Sequence, residues 1–92
     1  MKKVTTLRQL LRLIDKYRHQ LIADAKENGM CENFGQNPAR EQNQIREISD
    51  IVSRLTVGPD ALENADDRAA ARNALNGFCE WASGYTVYYS SP

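Results

Sequence analysis

The chain is poor in the residues that do chemistry. Its 92 residues hold one histidine, two cysteines and one tryptophan. With His19 alone, and with no nucleophile motif, phosphate loop or paired acidic motif, catalysis has little to stand on and no enzyme is expected. His19 stands at helical spacing from Arg12, Lys16 and Ala23, on a polar face, and Asp15 four residues earlier is only a helix-surface neighbour. A metal site would have to gather Cys31, Cys79 and His19 from three separate elements, without the short paired spacings of structural zinc. We therefore expect no metal and no cofactor. Long apolar runs are also missing: nothing approaches the ~18 residues of a membrane-spanning helix. The opening MKKVTTLRQLLRLI begins like a signal peptide, but Arg8, Gln9 and Arg12 interrupt the apolar region it would need. A reduced, cytoplasmic chain with no membrane partner and no Cys31–Cys79 bridge is the expectation. Net charge is absent as well. Twelve basic and twelve acidic side chains cancel, so no overall field favours nucleic acid or an anionic membrane.

What the chain does have is amphipathic periodicity. Thr6 and Gln9 have the spacing of a capping box, and Leu7, Leu10, Ile14, Tyr17 and Leu21 follow at three- and four-residue intervals. Leu11, Ile22 and Ala25 widen this stripe, and Gly29 supplies a helix stop. A second helix starts at Asn37-Pro38, buries Ile45, Ile48, Val52 and Leu55, and ends at Gly58-Pro59. The third has two possible starts, Asp60 with Glu63 or Asn64 before Ala65. Its seam reads Ala71, Leu75, Phe78, Ala82 and Tyr85. The fold class is all-α: an antiparallel three-helix bundle over about 7–28, 38–57 and 65–83, one domain over 1–92, with an extended aromatic C-terminal tail.

Charge and aromatic residues are unevenly spread. Arg8, Arg12, Lys16 and His19 form a stripe extended by Lys2 and Lys3, whereas residues 60–67 carry Asp60, Glu63, Asp66 and Asp67. An up-down-up bundle places both clusters at one end, where they compensate each other. The stripe is then a solvated helix face, or alternatively a track for phosphates in a small nucleic-acid-binding regulator using Arg8, Arg12 and Lys16. Helix-turn-helix geometry is excluded, because about ten residues separate the first two helices where that motif has three or four. In the tail, Tyr88 and Tyr89 cannot both point inward from an extended strand, so one faces a partner or a second copy of the chain.

The segment GMCENFGQNP, Gly29 to Pro38, lies between the first two helices. Together with NGMCENFGQNPAR and the later FCEWASGYT, it resembles a family of small proteins of phages and other mobile elements. The family pattern reads Gly-x-x-Glu-Asn-Phe-Gly-Gln, then an arginine, then an aromatic-x-x-Trp segment ending near a tyrosine. Gly29, Glu32, Asn33, Phe34, Gly35, Gln36 and Arg40 match it, as do Phe78, Trp81 and Tyr85. Cys31 departs from it, at a position where an aromatic is expected. The resemblance implies a mobile-element origin and a helical scaffold, and carries no activity. On the residues themselves, Phe34 reads as a plug at the end of the bundle and Gly35 as a turn with positive φ. Glu32, Gln36 and Arg40 are left as contact candidates. The resulting expectation is a non-catalytic protein-binding module that occludes a host protein, for example in a defence system, through Glu32, Gln36, Arg40, Tyr88 and Tyr89.

Overall fold

Threonine and glutamine close the start of the first helix, α1 (Leu7–Asn28). The Gln9 N–H donates to Thr6 Oγ1 at 3.1 Å, while Gln9 Oε1 accepts from the backbone N–H groups of Thr6 at 3.2 Å and Thr5 at 2.8 Å. This is the capping box read from the sequence, and it satisfies amides that a first helical turn leaves without carbonyl partners. The structure, a computed structural model, describes residues 3–28 and 38–90, with side chains described over 3–24 and 40–82. The second helix, α2 (Pro38–Thr56), begins on its proline, where no N–H is required. Its expected cap, Asn37, lies outside the described residues, as do Gly29, Cys31, Phe34 and Gly35.

At the end of α2, Gly58 adopts φ +99°, a conformation costly for residues with a Cβ. The turn is tied by Ala61 N–H donating to Gly58 O at 3.2 Å and by Leu62 N–H donating back to Leu55 O at 2.7 Å. Of the two candidate starts for the third helix, the later one is used. Asn64 Oδ1 accepts from the Asp66 N–H at 2.7 Å, and α3 covers Ala65–Ser90. The expected end near Ser83 and the extended tail are corrected here: the α3 backbone stays helical to Ser90. Gly84 lowers helix propensity by only about 1 kcal/mol, each further residue adds a hydrogen bond, and no proline intervenes before Pro92. Among the described residues there is no strand.

Cross-helix pairs show the arrangement of α1 and α2. Tyr17 meets Glu47, Gln20 meets Gln44, and Asp24 meets Arg40. Each advance along α1 is matched by an equal retreat along α2, so the two are antiparallel. The short turn at Gly58 then brings α3 back parallel to α1, with Lys3 beside Asp60 at one end and Arg18 over Trp81 towards the other. The bundle is up-down-up, with α2 and α3 sharing the most extensive interface.

The core takes Leu10, Ile14 and Leu21 from α1, Ile48, Val52 and Leu55 from α2, and Ala71, Phe78 and Ala82 from α3. These residues follow the expected seams. Leu7, Tyr17, Ile45, Leu75 and Trp81 pack partly buried around them. Leu11 departs from expectation: it is 46% exposed. At ~100° per residue it lies roughly 80° from the centre of the buried stripe of α1, beyond the reach of α2 and α3. Principal extents are 45 × 25 × 17 Å with a radius of gyration of 14.3 Å, so the molecule is elongated. The 26 residues of α3 account for about 39 Å of that length at ~1.5 Å per residue.

Two glycines test this account in opposite directions. A Cβ on Gly58 or on Gly77 would meet nothing within 4 Å, so substitution reports backbone conformation alone. Gly58→Ala is expected to lower stability by about 1–2 kcal/mol, because of its positive φ. Gly77→Ala, inside α3, is expected to raise it by up to about 1 kcal/mol. Thermal unfolding followed by circular dichroism should show Tm shifts of opposite sign, each about 4–8 °C per kcal/mol.

Candidate functional site

The core places α1 with one side buried and the other facing solvent, and Leu11 on the solvent side is, with Val57 just after α2, one of two large hydrophobic residues exposed among the described residues. Arg8, Leu11, Arg12, Asp15, Lys16 and His19 are all exposed. An open groove of about 600 Å³ runs along this face, lined by Leu7, Arg8, Leu11, Arg12 and Asp15. Two rows of residues four apart make its walls: Leu7, Leu11 and Asp15 on one side, Arg8 and Arg12 on the other.

The electrostatics of this face differ from the compensation expected from sequence. The acidic segment that leads into α3 reaches the basic end of the chain through Lys3 Nζ, 3.9 Å from Asp60 Oδ2. Among the described residues, Arg8, Arg12 and Lys16 make no ion pair. Nor does α1 have an acid in its first turn to set against the helix dipole. His19 Nδ1 lies 2.8 Å from the Asp15 carbonyl oxygen, to which it donates, and 3.6 Å from Asp15 Oδ2. Both side chains are more than two-thirds exposed, at 73% and 70%, so water surrounds the pair and no reacting geometry is built around it.

The structure separates the other candidates. Arg40, read as a contact residue, has Nη1 3.3 Å from Asp24 Oδ2, and that carboxylate side chain is only 16% exposed. Its guanidinium therefore ties α2 to α1. Glu32 and Gln36 lie outside the described residues, as do the side chains of Tyr88 and Tyr89, whose backbone belongs to α3. Cys79 is a free thiol, partly buried on α3, and burial pushes its pKa above the usual thiol value. Among the described residues no three His, Cys, Asp or Glu side chains gather as a metal would require, and no helix is long and apolar enough to cross a membrane.

Two features were missed by the sequence reading. One is the exposure of Leu11, whose signal was its flanking by Arg8 and Arg12. The other is Gln44, buried to 5% exposure, whose Nε2 donates to Gln20 Oε1 at 2.9 Å across α1 and α2. Its place one turn before Ile48 was the available cue. No protein-family model matches the chain, and neither a curated protein nor a solved structure matches it.

One polar contact in this frame can be read by titration. The Tyr17 hydroxyl donates to Glu47 Oε2. Burial, then that hydrogen bond, then the Glu47 charge push the Tyr17 pKa up to about 12 from 10.0. The unfolded chain releases this proton first as pH rises. The contribution of Tyr17 to stability is thus fully present below pH about 10 and lost between about 10 and about 12. In a titration of tyrosinate absorbance, one late-titrating tyrosine should be present in the wild type and missing in Tyr17→Phe.

Proposed function

We propose that the chain is a non-catalytic protein-binding module of phage or mobile-element origin that acts by covering a surface of a host protein, such as a component of a defence system. The observation that carries this reading is Leu11, 46% exposed and set between two arginines without ion-pair partners among the described residues. The exposed part of Leu11 adds nothing to the stability of a monomer, and arginine beside an apolar centre is a common composition of protein interfaces. Glu32, Gln36, Tyr88 and Tyr89 belong to the same proposal as further contacts, the two tyrosines with the host protein or with a second copy of the chain. Arg40 is less suited to it because of its pairing with Asp24.

The test is affinity capture from a bacterial lysate followed by mass spectrometry, with wild type and Leu11→Asp side by side. Wild type is expected to retain a specific host protein, and Leu11→Asp to lose at least about tenfold of it, equivalent to ~1.4 kcal/mol. Its circular dichroism and Tm should stay unchanged. Repeated recovery of no host partner counts against the reading.

A second reading has its own support. Arg8, Arg12 and Lys16 form an exposed row without ion pairs among the described residues, as a phosphate-binding face requires. Three phosphate contacts would weaken duplex DNA binding by about 40-fold between 50 and 200 mM salt, at a slope of about −0.9 per contact, and single-stranded binding by about 20-fold, at about −0.7. Titrations with both nucleic acids at these two concentrations check it, and no binding at low salt removes it.

A further inference from the structure

From the groove on α1 we infer the class of partner: an acidic amphipathic helix, laid across the face between Leu7 and Asp15. This rests on the reading of the chain as a protein-binding module and names what that module takes.

The shape of the groove comes first. Residues four apart on a helix form ridges, and the groove between two such ridges accepts the corresponding ridge of a second helix, crossing at about 50°. Leu7, Leu11 and Asp15 form one ridge, and Arg8 and Arg12 form the next. At that crossing angle two helices stay in contact for about two turns. Leu7 to Asp15 spans about 12 Å at ~1.5 Å per residue, which is the same length.

Chemistry then restricts the occupant. The Leu7–Leu11 side offers apolar surface, with Leu11 46% exposed, so the incoming ridge carries apolar residues at i and i+4. The Arg8–Arg12 side offers two guanidinium groups without ion pairs among the described residues, and Lys16 continues that row. The ridge facing it is therefore acidic. Burying these arginines against a neutral or basic surface would leave charge desolvated and unpaired. Asp15 ends the apolar wall, so the partner carries no acid at that end, which gives the docked helix a direction. A nucleic-acid backbone uses the cationic row but has no use for an exposed leucine. It would also meet the Asp15 carboxylate.

The experiment is selection from a displayed library of 14-residue helical peptides. Leucine is fixed at i and i+4, and the residues one position after each are randomised. Selection is run on the full chain and on Arg8→Glu/Arg12→Glu, and affinities of the recovered peptides are measured by fluorescence anisotropy. Both positions are exposed, and position 8 lies in the first turn where an acid suits the helix dipole, so the charge-reversed variant is expected to fold, which circular dichroism checks. On wild type the randomised positions should be enriched in Asp and Glu. On the charge-reversed variant the enrichment should turn to Lys and Arg, and the acidic peptides should bind at least about tenfold more weakly. Leu11→Ser should weaken both sets. The inference is overturned by neutral or basic enrichment on wild type, by acidic peptides indifferent to the reversal, or by no selected peptide at all. Binding of a 20-base-pair DNA duplex with no acidic peptide overturns it in favour of nucleic acid. If selection fails while Leu11-dependent capture of a host protein succeeds, the binding-module reading stands and only the acidic-helix assignment falls. Loss of both removes the two together.

Discussion

Among the described residues, Phe78 is the one large side chain that α3 commits fully to the core, and the other two it buries there are Ala71 and Ala82. The alanines let α1 and α2 approach α3, and the phenylalanine joins the apolar side chains of all three helices in one cluster. Burying such a side chain is worth about 1.5–3 kcal/mol. A domain of this length is stable by only about 5–14 kcal/mol, so much of the fold turns on that residue. It also sets how α1 is rotated. With Leu10, Ile14 and Leu21 drawn towards Phe78, Leu11 has nowhere to go but outward. The candidate site is in this sense a by-product of how the core closes.

Arginine is used in two ways. Arg54 and Arg68 turn inward and donate to main-chain carbonyls, Arg54 to Val4 O and Arg68 to Leu62 O and Glu63 O. They hold the start of α1 and the α2–α3 turn in place, satisfying carbonyls that no helix bond reaches. Arg18 lies 5.6 Å from the centre of the Trp81 ring, within cation–π range, and Trp81 in turn packs 6.1 Å from Phe78. Arg8 and Arg12 do none of this. Zero net charge therefore hides a division between cations spent on folding and cations left on a surface.

The sequence shows local structure well because local structure has local causes. Thr6 and Gln9 cap α1, Gly58-Pro59 ends α2 and Asn64 starts α3 through atoms at most four residues apart. The seams of α1 and α2 follow from helical period alone. Less was legible where a neighbour decides. Arg40 meets Asp24 only through the antiparallel register of α1 and α2, and the same register sets the buried Gln44 amide against the Gln20 oxygen. Of the two starts offered for α3, the later one expected from the sequence is used, and the Leu62–Leu55 hydrogen bond ties the preceding residues into the turn. Of the candidate site, the cationic row was visible in the spacing of Arg8, Arg12 and Lys16, whereas the apolar wall beside it was not. Leu11 belongs to the wide apolar stripe of the sequence, but roughly 80° from the centre of the buried side neither α2 nor α3 covers it.

The inward arginines have a consequence for how the molecule responds to its medium. Two of their partner carbonyls, on Val4 and Leu62, are half-buried, where dissolved ions screen poorly, and the core they support is apolar. The α1 cations lie in water, where the Debye length falls from about 10 Å at 0.1 M salt to about 3 Å at 1 M. Ionic strength therefore acts on the outer face of the protein and largely spares its interior. The same fold can be kept intact while its reach towards a charged neighbour is turned down.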